Sequence, residues 1–145
     1  MPHFAANLTF LFTEIPFMDR FGAAKQAGFD AVEFMFPYDF DQSEIRNQLQ
    51  KTGLQLVLCN LPAGNWAAGD RGTAADPARR QEFREGVARG LEAARFLGFS
   101  RMNCLVGLKP GGLSDGECRK ILFENIRYAA DALHGSGIRL MVEPV

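Results

Sequence analysis

The sequence predicts an α/β fold built as a parallel repeat of strand and helix, and two observations predict it. Four short apolar runs each begin just after a glycine, at 28–36, 53–60, 98–106 and 137–143. Glycine between a helix end and a strand start is the left-handed cap expected of a helix-to-strand loop. Short, near-continuous apolar runs are what buried parallel strands look like. The stretches between the runs carry apolar residues at helical spacing, which is the second observation. Right-handed strand–helix–strand units in series make either an open doubly wound sheet or part of an eight-stranded barrel. A closed barrel needs eight strands and typically about 250 residues, and this chain supplies about half of that. Residues 1–145 read as one partial barrel domain with no low-complexity linker.

The first strand is expected in the apolar stretch Phe4 to Phe12. Phe17, Phe21, Ala24 and Ala27 then share one face of a first helix. The second strand, ending in Val32-Glu33-Phe34-Met35-Phe36, leads to a second helix with Ile45 and Leu49 inward and Asp41 or Ser43 as its cap. After the third strand, which ends in Cys59-Asn60, Asp76-Pro77 opens the third helix as N-cap followed by proline. Its apolar stripe is Phe83, Val87, Leu91 and Ala94. Ser114 and Glu117 form a capping box ahead of the fourth helix, where Cys118, Leu122, Ile126, Ala129 and Leu133 repeat at helical spacing. The fifth strand is Ile138-Arg139-Leu140-Met141-Val142-Glu143, so the chain stops where a site would begin to assemble. The 13 phenylalanines fall heavily in the early part of the chain, which predicts dense packing there.

Composition excludes several function classes. A net charge of −1 gives no basic field for nucleic acid or an anionic membrane surface. No apolar run is long enough to span a bilayer, and Met1-Pro2-His3-Phe4 has no signal-peptide pattern. Three scattered cysteines, Cys59, Cys104 and Cys118, show no zinc spacing and read as reduced core residues, which points to the cytoplasm. No Gly-x-Gly-x-x-Gly follows the first strand, so no dinucleotide site is expected. His3 and His134 are isolated and do not read as ligands.

Parallel α/β proteins build their sites at the C-terminal ends of the strands. Five polar residues stand at or near those ends: Asn7, Glu33, Asn60, Asn103 and Glu143. Each has a plainer reading. Glu33 fits an exposed or paired carboxylate, Asn60 shapes the turn into Leu61-Pro62, and Asn7 and Asn103 satisfy backbone groups inside the barrel. Glu143 fits a solvated carboxylate as well as a base. Together the five point to a polar pocket. The long glycine-rich loop 62–72 follows the third strand and holds the only tryptophan, Trp66. It reads as a lid over a small substrate, or as a packed loop anchored by Trp66. Arg71 is placed to pair with a substrate carboxylate. The loop 107–113 lacks the Gly-Lys-Ser/Thr ending of a phosphate loop and reads as a connection.

The chain resembles the N-terminal half of the hydroxypyruvate isomerase family, of the xylose-isomerase-like TIM barrel superfamily. The resemblance lies in Phe4-Ala5-Ala6-Asn7-Leu8, Val32-Glu33-Phe34-Met35-Phe36-Pro37-Tyr38-Asp39, and the stretch from Asn60 through Trp66 to Gly72. It continues in Asn103-Cys104-Leu105-Val106-Gly107, in Glu124-Asn125-Ile126-Arg127-Tyr128-Ala129-Ala130, and in Val142-Glu143-Pro144. It implies the first five strands of such a barrel. It also implies isomerisation of hydroxypyruvate to tartronate semialdehyde (2-hydroxy-3-oxopropanoate), a reaction of glyoxylate metabolism. The alternatives are a 2-oxo-tetronate isomerase, a sugar epimerase of the same superfamily, or a non-catalytic half-barrel interaction module. An endonuclease of this barrel class would need many metal-binding histidines. The family uses two glutamates as acid and base, and Glu143 matches the first. It also holds a divalent metal, Mg²⁺ by the hard-oxygen preference, for which Glu143 matches one ligand and the other ligands have no counterpart here. Asn7, Glu33, Asn60, Trp66, Arg71 and Asn103 are the expected substrate-binding set, with a small 2-oxo or hydroxy acid as partner. Open sheet edges predict self-association.

Overall fold

The computed structural model describes residues 2–144; Met1 and Val145, the outer bounds of the expected domain, lie outside them. Five strands run parallel in one open sheet in chain order, β1 (Ala5–Asn7), β2 (Ala31–Glu33), β3 (Gln55–Asn60), β4 (Arg101–Leu105) and β5 (Arg139–Glu143). Helices α1 (Arg20–Gln26), α2 (Gln42–Thr52), α3 (Arg80–Leu97) and α4 (Asp115–Leu133) fill the crossovers. Sequential neighbours in a parallel sheet are the barrel order rather than the doubly wound order, in which a strand-order reversal would appear.

The strands are shorter than the apolar runs that announce them. The first strand stops at Asn7, not Phe12, because the chain turns there: the Phe10 and Leu11 amides both donate back to the Asn7 carbonyl, at 3.1 and 2.9 Å. Phe12 takes the left-handed conformation, with φ +60°. The second strand ends at Glu33 rather than Phe36. Its pairing with β3 is irregular between Val32 and Glu33, where Glu33 stands opposite Leu58. Such a slip re-aims the side chains at a strand end.

Helix starts follow the local chemistry. The Asp41 carboxylate accepts from the Ser43 amide at 2.8 Å and caps α2. Ser114 and Glu117 form the reciprocal capping box of α4. Asp76 and Pro77 open a 3₁₀ turn, Pro77–Arg79, which leads into α3. Each Asp or Ser cap contributes about 1 kcal/mol by satisfying amides that a helix end leaves free.

The core lies between the sheet and the helices. Val32, Cys59, Met102 and Cys104 point outward from the strands and meet Phe21, Ile45, Val87, Ala94 and Ala129 of the helix layer. Within this core Phe17 stands edge-on to Phe21 and Phe34 and stacks on Phe40, with Phe17–Phe40 centroids 4.1 Å apart. Dense aromatic packing is therefore real, but it excludes Phe4 and Phe10, which are exposed. Ala27, expected on the inner face of α1, is also exposed, because α1 ends at Gln26. Gly90 lets α3 lie close to the sheet: a Cβ there would sit 2.7 Å from the Leu61 side chain and 3.0 Å from the Met102 sulfur. Arg80 and Glu124 join α3 to α4 at 2.7 Å. Among the described residues no helix is long and apolar enough to cross a membrane.

Candidate functional site

The polar residues at the strand ends meet in two groups on the inner face of the sheet. Register places Asn7 beside Glu33 and Asn60 beside Asn103, with Glu143 one pleat above the partner of Asn103. Residues two apart on a strand share a face, so these side chains converge. The Asn7 amide donates to Glu33 Oε1 at 3.0 Å, and its oxygen accepts from the Thr9 backbone amide at 3.0 Å. The Asn103 amide donates twice, to Asn60 Oδ1 at 3.2 Å and to Glu143 Oε2 at 2.6 Å. Asn60 and Asn103 are buried, whereas the Glu143 carboxylate stands exposed at the end of β5. The result is a carboxylate held by a buried amide, with its second oxygen available. A positioned carboxylate of this kind is what proton transfer at carbon requires.

Tyr38 supports the same group through the backbone of Asn60. Its hydroxyl donates to the Asn60 carbonyl at 2.8 Å, and burial pushes the phenol far above its ordinary range, so it stays a neutral donor. Arg89 lies over the Tyr38 ring, 4.8 Å from its centroid, and donates to the Tyr38 carbonyl at 3.0 Å. Sequence reasoning passed over Tyr38, although it lies in the stretch 32–39 that carries the family likeness. Burial also raises the thiols of Cys59 and Cys104, the latter to about 12, which leaves both as packing groups.

The loop after β3 leaves from the same end of the sheet as Glu143. It holds a short 3₁₀ turn, Trp66–Ala68, capped by Asn65. The Arg71 guanidinium lies over the Trp66 ring, 3.9 Å from its centroid, and its Nη1 donates to the carbonyls of Trp66 and Asp70 at 3.3 and 2.7 Å. Its Nε and Nη2 make no hydrogen bond among the described residues, which leaves one edge of the fork for an anion. Trp66 meets Phe36 edge-on at 5.3 Å. Asp70 ties the loop to the start of α3: it accepts from the Asn65 amide at 2.6 Å and pairs with Arg79 at 2.8 Å. The Arg79 bond, and then the Asn65 amide, hold its carboxyl below the usual range.

The connection 107–113 has a structural part the sequence did not suggest. Gly107 packs on the backbone of Gly72, and a Cβ on either would strike the other's turn. A second missed residue is Asn125. It is fully buried on the inner face of α4, and its amide donates to the Ala74 carbonyl at 2.9 Å. Its place was visible as a polar residue three after Leu122 and four before Ala129, inside the apolar stripe.

The family model for the xylose isomerase-like TIM barrel matches residues 21–145. The chain belongs to that family. It is 50% identical over its whole length to hydroxypyruvate isomerase of Escherichia coli, and it covers 56% of that protein. It is 43% identical to 2-oxo-tetronate isomerase of Cupriavidus necator, again over its whole length and 56% of the relative. The chain thus spans about half the length of the curated relatives it matches. Among solved structures, one described as an AP endonuclease, family 2, from Brucella melitensis superposes with a TM-score of 0.95 at 47% identity, covering all of this chain and 56% of that one. A D-allulose 3-epimerase from Methylomonas sp. shares the fold at a TM-score of 0.66 and 23% identity, over 86% of this chain and 44% of the epimerase.

The strand-end residues do not assemble a divalent-cation site. Among the described residues no group of three His, Cys, Asp or Glu side chains comes together. His3 precedes β1 and His134 caps the C-terminus of α4, so both stand at the N-terminal end of the sheet, away from Glu143. A hard cation takes about six oxygen ligands, and Glu143 offers one carboxylate. These residues alone do not make a metal site.

Proposed function

We propose that this chain carries the base and part of the acid-binding surface of an isomerase that interconverts hydroxypyruvate and tartronate semialdehyde. The observation that supports the reading best is the buried Asn60–Asn103 pair holding Glu143 at the strand ends, in a chain half identical to a hydroxypyruvate isomerase. Hydroxypyruvate carries its hydroxyl on C3 and its carbonyl on C2. Glu143 takes a proton from C3, and the electron pair moves to form the C2–C3 enediolate. A proton returns to C2, and the hydroxyl proton passes from O3 to O2, which leaves the aldehyde at C3. Asn103 holds one Glu143 oxygen, so the other faces the substrate. Arg71 on its Trp66 platform binds the substrate carboxylate, and Asn7, Glu33 and Asn60 complete the polar wall. A divalent cation, Mg²⁺ in this reading, would stabilise enediolate charge, and Glu143 would supply one carboxylate ligand to it.

The second glutamate that the family likeness implies has no counterpart here, so the decisive assay uses a full barrel. The chain is joined to the part of the E. coli relative that it does not match, and hydroxypyruvate is followed by proton NMR in D₂O. Deuterium is expected at C3 with the parent and not with Glu143→Gln of unchanged fold. Equal exchange in the two removes Glu143 as the base. The 43% identical relative gives the four-carbon 2-oxo-tetronate as a second substrate, and direct competition ranks the two acids.

Two further parts of the reading are proposals. The described sheet leaves β1 and β5 as edges, each with unpaired backbone groups. The chain alone should therefore sediment as a dimer or larger, and a stable monomer would count against self-association. Three free, buried cysteines suit a reducing compartment, and we place the protein in the cytoplasm.

A further inference from the structure

Arg71 is joined through Gly72 to a segment that is clamped from two sides. Thr73, Ala74 and Ala75 are all buried. From one side the turn after β4 holds them: the Ala75 amide donates to the Val106 carbonyl at 3.0 Å, and Gly107 lies on Gly72. From the other side α4 holds them by a hydrogen bond from Asn125, whose amide donates to the Ala74 carbonyl at 2.9 Å. Across the neck of the loop the Gly72 amide donates to the Ala63 carbonyl at 3.0 Å. Asn125 is 1% exposed and lies among the buried residues of α4, beside the apolar Cys118, Ala129 and Leu133. A buried amide is costly unless it is hydrogen-bonded, so its bond to a loop carbonyl is a specific use of that position.

We propose that Asn125 is a positioning residue for Arg71. By fixing Ala74 it sets where the neck of the loop sits, and hence where the Arg71 fork and the Trp66 platform present themselves to a substrate carboxylate. The proposal rests on the reading of Arg71 as the carboxylate-binding residue, but the contact network it claims does not. Asn125 lies on α4 and Arg71 on the loop after β3, so the device couples two crossovers of the barrel.

Trp66 is the only tryptophan, so its fluorescence reports the loop directly. In Asn125→Leu, which keeps the γ-branched heavy-atom pattern and removes the donor, acrylamide quenching of Trp66 is expected to rise at least twofold while the far-ultraviolet circular dichroism stays that of the parent. Leu133→Ala, buried on the same helix without a bond to the loop, is expected to lower thermal stability and leave the quenching unchanged. A folded Asn125→Leu with parental quenching overturns the proposal. Coupling between two sites is reciprocal, so a second variant avoids any folding failure of the first. Arg71→Ala, on the loop surface, is expected to shift the Asn125 side-chain amide resonance and speed its hydrogen exchange more than twofold. An unmoved Asn125 amide overturns the proposal as well. Tartronate serves as the anion probe, and both variants are expected to weaken its binding roughly tenfold. If the parent does not bind tartronate, the carboxylate reading of Arg71 falls, while quenching and the Asn125 resonance still decide the positioning claim.

Discussion

Replacing Asn103 by alanine tests the geometry of the site in the most direct way. Its side-chain amide spends both protons, one on Asn60 Oδ1 at 3.2 Å and one on Glu143 Oε2 at 2.6 Å. Truncation removes both bonds, but the two partners respond differently. Glu143 is exposed, so water replaces the lost donor and little stability is lost there. Asn60 is 4% exposed, so its oxygen is left without a partner in a place water reaches poorly. An orphaned buried acceptor costs about 1–3 kcal/mol. We expect Asn103→Ala to lose about 2 kcal/mol, a value set by Asn60 and not by the shorter, charged bond to Glu143. The assay is urea unfolding followed by Trp66 fluorescence and by circular dichroism, with the midpoint falling and the slope unchanged. Adding Asn60→Ala removes the orphan itself. The double variant should therefore lose less than the sum of the single losses, by about 1 kcal/mol or more. A loss below about 0.5 kcal/mol in Asn103→Ala, or additivity within about 0.3 kcal/mol, would refute the argument.

Other expectations follow from single contacts. Gly72→Ala should destabilise far more than Gly53→Ala, because both glycines have positive φ but only Gly72 abuts backbone, that of Leu105 and Gly107. The Gly53 change should cost about 1–2 kcal/mol, and equal losses in the two would show that the Gly72–Gly107 contact is loose. Asp70 titrates below its ordinary value because of Arg79 and the Asn65 amide. Its contribution is therefore complete above the unfolded value of about 3.9 and is lost as the pH falls through the folded value. Trp66 emission should show an acid transition that Asp70→Asn abolishes, and an unchanged transition in that variant would assign it elsewhere. Cys59 and Cys104, with thiols raised by burial, should react with a disulfide reagent only as fast as the chain unfolds. Fast labelling of either at neutral pH in the folded protein would contradict the packing described.

Much of the candidate site is legible in the sequence because parallel strands end where sites are built. Asn7, Glu33, Asn60, Asn103 and Glu143 were selected by position alone, and the fold brings them into two hydrogen-bonded groups. Glycine spacing, the capping box at Ser114 and the Asp41 cap are local devices and were legible for that reason. Residues whose importance lies in a distant contact were not. Tyr38 matters through the Asn60 carbonyl 22 positions on. Asn125 matters through Ala74, 51 positions back. The lengths of β1 and β2 were overestimated because apolar character continues past the point where backbone pairing stops.

The sequence by itself determined the alternation of strand and helix, the capped helix starts, the core-facing apolar stripes of the helices and the carboxylate at the end of the fifth strand. These depend on periodicity and on chemistry within a few residues. Only the tertiary structure decided that Asn103 bridges Asn60 to Glu143, that Arg71 lies on Trp66, and that Gly72 and Gly107 touch. Those contacts depend on register between strands and on how closely two crossover loops approach. Neither is set by any one segment, because each arises only when the sheet has formed and the helices have packed against it.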